Sequence, residues 1–209
     1  MLKIGVMVSG GGTNLQAVFD RIDDGMLKKC RVVTVVSSRD GVYALERAEK
    51  RGIPAAVISR KSFDSEEEYD RILIRHMRQY GVELVVLAGF LSLLGEGFIE
   101  TFKNAIINVH PSLIPSFCGK GYYGIIPHRK ALEYGVKVTG ATVQFVEPEY
   151  DSGPIILQKA VDVLQEDTPE TLQRRVMEEA EWVLLPEAIR LFSEGKLITE
   201  GRKVIIKRP

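Results

Sequence analysis

The stretch Ile107-Asn108-Val109-His110-Pro111-Ser112-Leu113-Ile114-Pro115 sets an amide and an imidazole two residues apart, at the end of a run of strand formers. Residues i and i+2 of a strand point to one side, so Asn108 and His110 would face a common space. Pro111 and Pro115 cannot continue a hydrogen-bonded ladder, so the strand is expected to stop near His110 with the imidazole at its carboxyl end. Open α/β sheets keep their sites at that end. An amide N–H beside an imidazole can stabilise a developing oxyanion and help move a proton. Taken alone, the pair also has a plainer reading, in which Asn108 satisfies a turn and His110 is a hydrogen-bonded core histidine.

A second candidate lies near the start. Residues 2 to 8 read as a buried strand that runs into Ser9-Gly10-Gly11-Gly12-Thr13-Asn14, and then into a helix with Leu15, Val18, Phe19 and Ile22 on one face. A strand, a glycine turn and a helix start form an anion site, because glycines admit close approach while free N–H groups and the helix dipole face the ligand. The turn is neither G-x-G-x-x-G nor a Walker A loop, so no dinucleotide or nucleoside triphosphate is specifically indicated. A plain tight turn is the competing reading.

The elements that must position these groups alternate strand and helix. Strands are expected at Arg31–Ser37, at Ala55–Ile58 and at Glu83–Ala88. Between the last two, Ser65 with Glu68 resembles a capping box that opens a helix striped by Tyr69, Ile72, Leu73, His76 and Tyr80. His76 is read as structural. Such βαβ units give a parallel sheet. Leu91, Leu93 and Leu94, after the Glu83 strand, could line an apolar slot or simply pack in the core. The irregular, glycine-rich stretch from Ser116 to Pro127 suggests a lid. Beyond it come a strand with Thr142, Gln144 and Val146 on one face, an acidic loop holding Asp151, and a strand from Ile155 to Val163. Thr168 or Asp167 caps a helix expected to run to about Ser193 with a break near Pro186, and a hairpin turning at Glu200-Gly201 closes the chain. The fold class is therefore α/β: a mostly parallel, twisted, Rossmann-like sheet with helices on both faces and C-terminal antiparallel strands.

With 209 residues, one domain is the default expectation. The 28 basic and 28 acidic residues cancel, so overall charge draws the chain to neither nucleic acid nor an anionic membrane. Two distant cysteines, Cys30 and Cys118, and three histidines fit neither a disulfide framework nor a metal cluster. The strand-like start, soon broken by glycines, is no signal peptide or membrane span. A soluble cytoplasmic protein is expected, either monomer or homodimer.

The segments SGGGTNLQ, LVVLAGF, INVHPSLIPSF and GATVQFVEPEYDSGPIILQ resemble the motifs of the phosphoribosylglycinamide formyltransferase family, in the family's order from Leu2 to about Phe192. The Asn-x-His-Pro-Ser-Leu-x-Pro and Asp-x-Gly-Pro parts are shared with a wider group of formyl-folate enzymes. The resemblance implies transfer of a formyl group from 10-formyltetrahydrofolate to the amine of glycinamide ribonucleotide, without a metal. It implies Asn108, His110 and Asp151 as the catalytic trio, with Asn108 and His110 on the oxyanion of a tetrahedral intermediate and Asp151 orienting the imidazole. It further implies that Gly11, Gly12, Thr13, Asn14 and Leu15 hold the substrate phosphate. Glu66, Leu91, Ser92, Leu93, Leu94 and Asn108 would meet the folate, and Glu181 the substrate amine.

The sequence departs from the family pattern at several points. Glu66 stands where many members carry a basic residue suited to the folate's glutamate tail, and Gln144 where many carry a second histidine. The segment Cys118–Pro127 is longer than the commoner form. One extra residue separates Arg175 from Pro186, which leaves Glu179 and Glu181 both open as the substrate carboxylate. Competing readings are methionyl-tRNA formyltransferase, a formyl-folate hydrolase, or a non-catalytic phosphate-binding α/β module.

Overall fold

Runs of β-branched residues separated by amphipathic helices produce alternating strands and helices. A computed structural model describes residues 1–207. They divide into two compact units, Met1–Asn108 and the remainder from Val109 onward.

The first unit is a parallel sheet. Its strands β1 (Leu2–Val8), β2 (Cys30–Ser37), β3 (Ala55–Val57), β4 (Leu84–Leu87) and the start of β5 (Ile106–His110) lie in the order β3-β2-β1-β4-β5. Helices α1 (Thr13–Asp23), α2 (Tyr43–Glu49), α3 (Glu66–Gln79) and α4 (Glu96–Thr101) connect them. Ile4, Val6, Met7, Val35, Val36, Leu84, Val85 and Val86 are all but inaccessible, as strands covered on both faces require. Ser65 caps α3, its Oγ accepting from Glu68 N–H at 3.1 Å. His76 is structural: its Nε2 lies 2.8 Å from the Thr34 hydroxyl and its ring packs on Tyr80.

The second unit begins inside β5, and its sheet is mixed, with two antiparallel pairs and a parallel contact between Ile155 and Lys203. Strand β6 (Val138–Phe145) pairs antiparallel with β7 (Ile155–Asp162), and β8 (Leu197–Glu200) with β9 (Lys203–Ile206), as the expected terminal hairpin. Helix α5 (Ile126–Tyr134) starts one residue before Pro127, so the irregular stretch is shorter than expected. Thr168 caps α6 (Pro169–Val176) through Thr171 N–H.

The long C-terminal helix differs from expectation in one respect. Its irregularity is a π-turn at Met177–Glu181, between α6 and α7 (Trp182–Ser193), while Pro186 sits inside α7. A π-turn accommodates one more residue than an α-turn, so the turn at Met177–Glu181 has room for the extra residue expected between Arg175 and Pro186. No described helix is long and apolar enough to cross a membrane.

Candidate active site

Strand β5 ends at His110, and its two-residue alternation sets Asn108 and His110 on one side. His110 is 4% exposed. The turn that follows is braced from β6 and β7. Thr142 Oγ1 donates to the Ser112 carbonyl at 2.7 Å and accepts from Ile114 N–H at 3.1 Å, while Gln158 Nε2 donates to the Ile114 carbonyl at 3.0 Å. The chain beyond the imidazole is thereby held in one path.

Both ring nitrogens of His110 meet oxygen. Nε2 donates to the Phe117 carbonyl at 3.0 Å, and Nδ1 lies 3.5 Å from Asp151 Oδ2. Protonated imidazole has two N–H donors, and this setting offers an acceptor to each. Asp151 is anchored independently of the ring. Its Oδ2 accepts from Gly119 N–H at 2.8 Å and its Oδ1 from Gln144 Nε2 at 3.2 Å. Its φ of 50° is left-handed, a conformation in which Asp and Asn are enriched. Gln144 therefore acts here as a carboxylate holder, with its Oε1 buried and without a hydrogen-bond partner.

In the first unit, the glycine turn opens α1 with neither a side-chain cap nor an acidic residue in the first turn. The first intrahelical bond runs from Gln16 N–H to the Gly12 carbonyl at 2.9 Å, which leaves the N–H groups of Thr13, Asn14 and Leu15 outside the helical ladder. Leu15 is fully buried, so it can offer a ligand only its backbone. The three glycines differ. A Cβ on Gly10 or Gly11 would meet nothing within 4 Å, whereas one on Gly12 would lie 2.7 Å from the Ala44 Cβ, and Gly12 has φ 72°. The open side of the turn is at Gly10 and Gly11; Gly12 is glycine because α2 closes on it.

The loop after β4 is tied to this turn. Leu91 N–H donates to Ser9 Oγ at 2.8 Å, and Ser9 Oγ lies 2.6 Å from Ser38 Oγ. Leu91 and Leu93 are 43% and 49% exposed, while Leu94 is in the core, so only the first two and the partly exposed Ser92 present surface. Buried Asp70 holds the far end of the loop, accepting from Gly95 N–H at 3.0 Å and Phe98 N–H at 2.9 Å. Glu66, exposed at the start of α3, lies against Gly95: its Cγ would be 2.7 Å from a Cβ there.

A family model described as formyl transferase matches residues 2–189. The chain belongs to the formyl transferase family. It is 37% identical to the phosphoribosylglycinamide formyltransferase of Haemophilus influenzae over 197 residues, covering 94% of this chain and 90% of the relative. The trifunctional purine biosynthetic protein adenosine-3 of Gallus gallus is 41% identical over 207 residues, 99% of this chain. The chain spans only 14% to 20% of the length of such trifunctional relatives. Among solved structures, glycinamide ribonucleotide transformylase 1 from Symbiobacterium toebii superposes with a TM-score of 0.93 at 46% identity, covering 100% of this chain and 95% of that one.

In this family member, the π-turn separates the two candidate carboxylates. Glu181, at the end of the turn, is 6% exposed, whereas Glu179 faces solvent. Sequence reasoning missed a second imidazole. His128 on α5 is fully buried, and neither ring nitrogen has a hydrogen-bond partner. Burial first, then the neighbouring His110, push its pKa down to about 4, so it stays neutral near pH 7. The one available signal was a histidine directly after Pro127, at a helix start on a helix whose Ala131 faces the core.

Proposed function

We propose that this chain transfers the formyl group of 10-formyltetrahydrofolate to the amine of glycinamide ribonucleotide. The observation that carries this reading is the His110–Asp151 pair at the carboxyl end of β5, with Asn108 two residues earlier on the same side. The amine attacks the formyl carbon, a carbon–nitrogen bond forms, and the formyl oxygen becomes an oxyanion. The Asn108 amide donates to that oxyanion, and the positive charge of the His110 imidazolium, whose own N–H groups face Phe117 and Asp151, stabilises it through space; both gain most when the charge is fully developed. The proton lost by the attacking nitrogen passes to folate N10 as the carbon–N10 bond breaks. Asp151 steadies the imidazole and helps relay that proton. The products are the formylated ribonucleotide and tetrahydrofolate.

Backbone donors from Gly11 to Leu15 take the substrate phosphate at the start of α1. Leu91, Ser92 and Leu93 offer the pterin an apolar edge, and Glu181 takes the substrate amine. The buried end of the π-turn favours Glu181 over Glu179, because a carboxylate withdrawn from water interacts more strongly with the positive charge that develops on the amine nitrogen as it attacks.

The test mixes the protein with 10-formyltetrahydrofolate and follows tetrahydrofolate release with and without glycinamide ribonucleotide. Release that depends on the ribonucleotide, with stoichiometric formylated product, is expected. Equal release in its absence would make the protein a hydrolase.

A further inference from the structure

We infer that Arg47 is the positioning residue of the phosphate site, acting through the peptide that joins Gly11 to Gly12. This rests on the glycine turn being that site, as proposed above. Two carbonyls of the turn are drawn toward α2: the Gly10 carbonyl accepts from Ala44 N–H at 3.3 Å, and the Gly11 carbonyl from Arg47 Nε at 3.0 Å. A trans peptide points its C=O and N–H in opposite directions. Holding the Gly10 and Gly11 carbonyls toward α2 therefore aims the N–H groups of Gly11 and Gly12 away from it. A Cβ at Gly10 or Gly11 would meet nothing within 4 Å, so there is open space beside these two residues.

Arg47 is itself fixed at three points. Its Nη1 donates to Gln16 Oε1 on α1 at 2.7 Å, its Nε holds Gly11, and its guanidinium lies over the Tyr43 ring at 4.7 Å. It thus bridges α1, the turn and α2. Among the described residues no carboxylate pairs with it, so its charge also stays available to an anion beside the turn. A Lys at this place would keep the charge, but it lacks the planar fork that reaches Gly11 and Gln16 together.

The experiment compares wild type with Arg47→Met, Arg47→Lys and Gln16→Ala. It measures KM for each substrate, kcat, and the Kd of inorganic phosphate by titration calorimetry. Arg47→Met should raise the ribonucleotide KM and the phosphate Kd about tenfold, with the folate KM and kcat within twofold. Arg47→Lys should recover less than half of that loss, and Gln16→Ala should show a smaller loss of the same kind. Full recovery by Lys would replace positioning with simple charge, and an unmoved ribonucleotide KM would remove Arg47 from the site. If Arg47→Met does not fold, Gln16→Ala decides: equal effects on both substrates overturn the inference. A wild-type protein that binds phosphate but transfers no formyl group would refute the proposed activity and leave the Arg47 arm measurable.

Discussion

His110 Nδ1 stands 3.5 Å from Asp151 Oδ2, beyond the roughly 2.7–2.9 Å of a charge-assisted hydrogen bond. The carboxylate is nonetheless fixed, because Gly119 N–H and Gln144 Nε2 hold its two oxygens. Asp151 is therefore set in place by the loop and by β6, and the imidazole adjusts to it.

The substitution Asp151→Asn keeps the shape, and Asn tolerates the left-handed backbone that this position requires. It removes the negative charge beside the ring and leaves one oxygen where there were two. We expect kcat to fall on the order of 100-fold or more, with Tm changed by only a few degrees. Turnover within a few-fold of wild type in a folded variant would exclude Asp151 from the chemistry.

The glycine turn separates into structural and ligand-facing positions. Gly12→Ala places a Cβ 2.7 Å from Ala44 on a backbone with φ 72°, and should destabilise the protein by roughly 1–3 kcal/mol in urea titrations. Gly11→Ala meets no atom and should leave stability almost unchanged, while raising the ribonucleotide KM and sparing the folate KM. The reverse pattern would mean that the anion enters on the α2 side of the turn.

The strand–helix alternation was readable because buried strands such as Val32–Val36 and striped helices such as α3 have different periods. The ends of those elements were readable too, since Gly12, Ser65 and Thr168 carry recognisable turn or cap chemistry. The alternation of β5 and the proline after His110 put Asn108 and His110 together at a strand end. The partners of Asp151 were not legible, because Gly119 and Gln144 reach it only through loop geometry. The π-turn left no compositional trace: one extra residue looks like any other, and Pro186 drew attention one turn too far along. His128 was missed because its burial depends on how α5 packs after an irregular stretch. The roles of the three glycines also needed three dimensions, since only the approach of Ala44 tells Gly12 from Gly11.

His128 should make the protein acid-sensitive in a defined window. Its pKa is about 4 when folded against the ordinary 6.5. Between those values the unfolded chain takes up a proton that the folded one refuses, so stability falls as pH drops from 6.5 toward 4 and is unaffected above 6.5. The full effect is about 3 kcal/mol at most. His128→Leu should therefore gain on wild type as pH falls. Urea titrations of both proteins at pH 7.5, 5.5 and 4.5 measure this, and a constant difference across that range would contradict it.

The last prediction concerns Glu66, whose side chain backs Gly95 just beyond the loop Leu91–Leu94. At the first position of α3 an acidic side chain is favoured by the helix dipole, and Glu66 is joined there by Glu67 and Glu68. If the folate's glutamate tail leaves the leucine loop toward Gly95, it meets this negative cluster. The groove of about 770 Å³ that Glu66 helps line also contains Arg71, Arg75 and Arg78, which offset part of the repulsion. The residual at an exposed, screened position is on the order of 1 kcal/mol or less. Glu66→Lys should accordingly lower the folate KM several-fold at low salt, with the gain shrinking as salt rises and the ribonucleotide KM unmoved. Steady-state kinetics for both substrates across a salt series provides the measurement. A folate KM that is the same at every salt concentration would place the tail elsewhere and leave Glu66 as a helix-start charge alone.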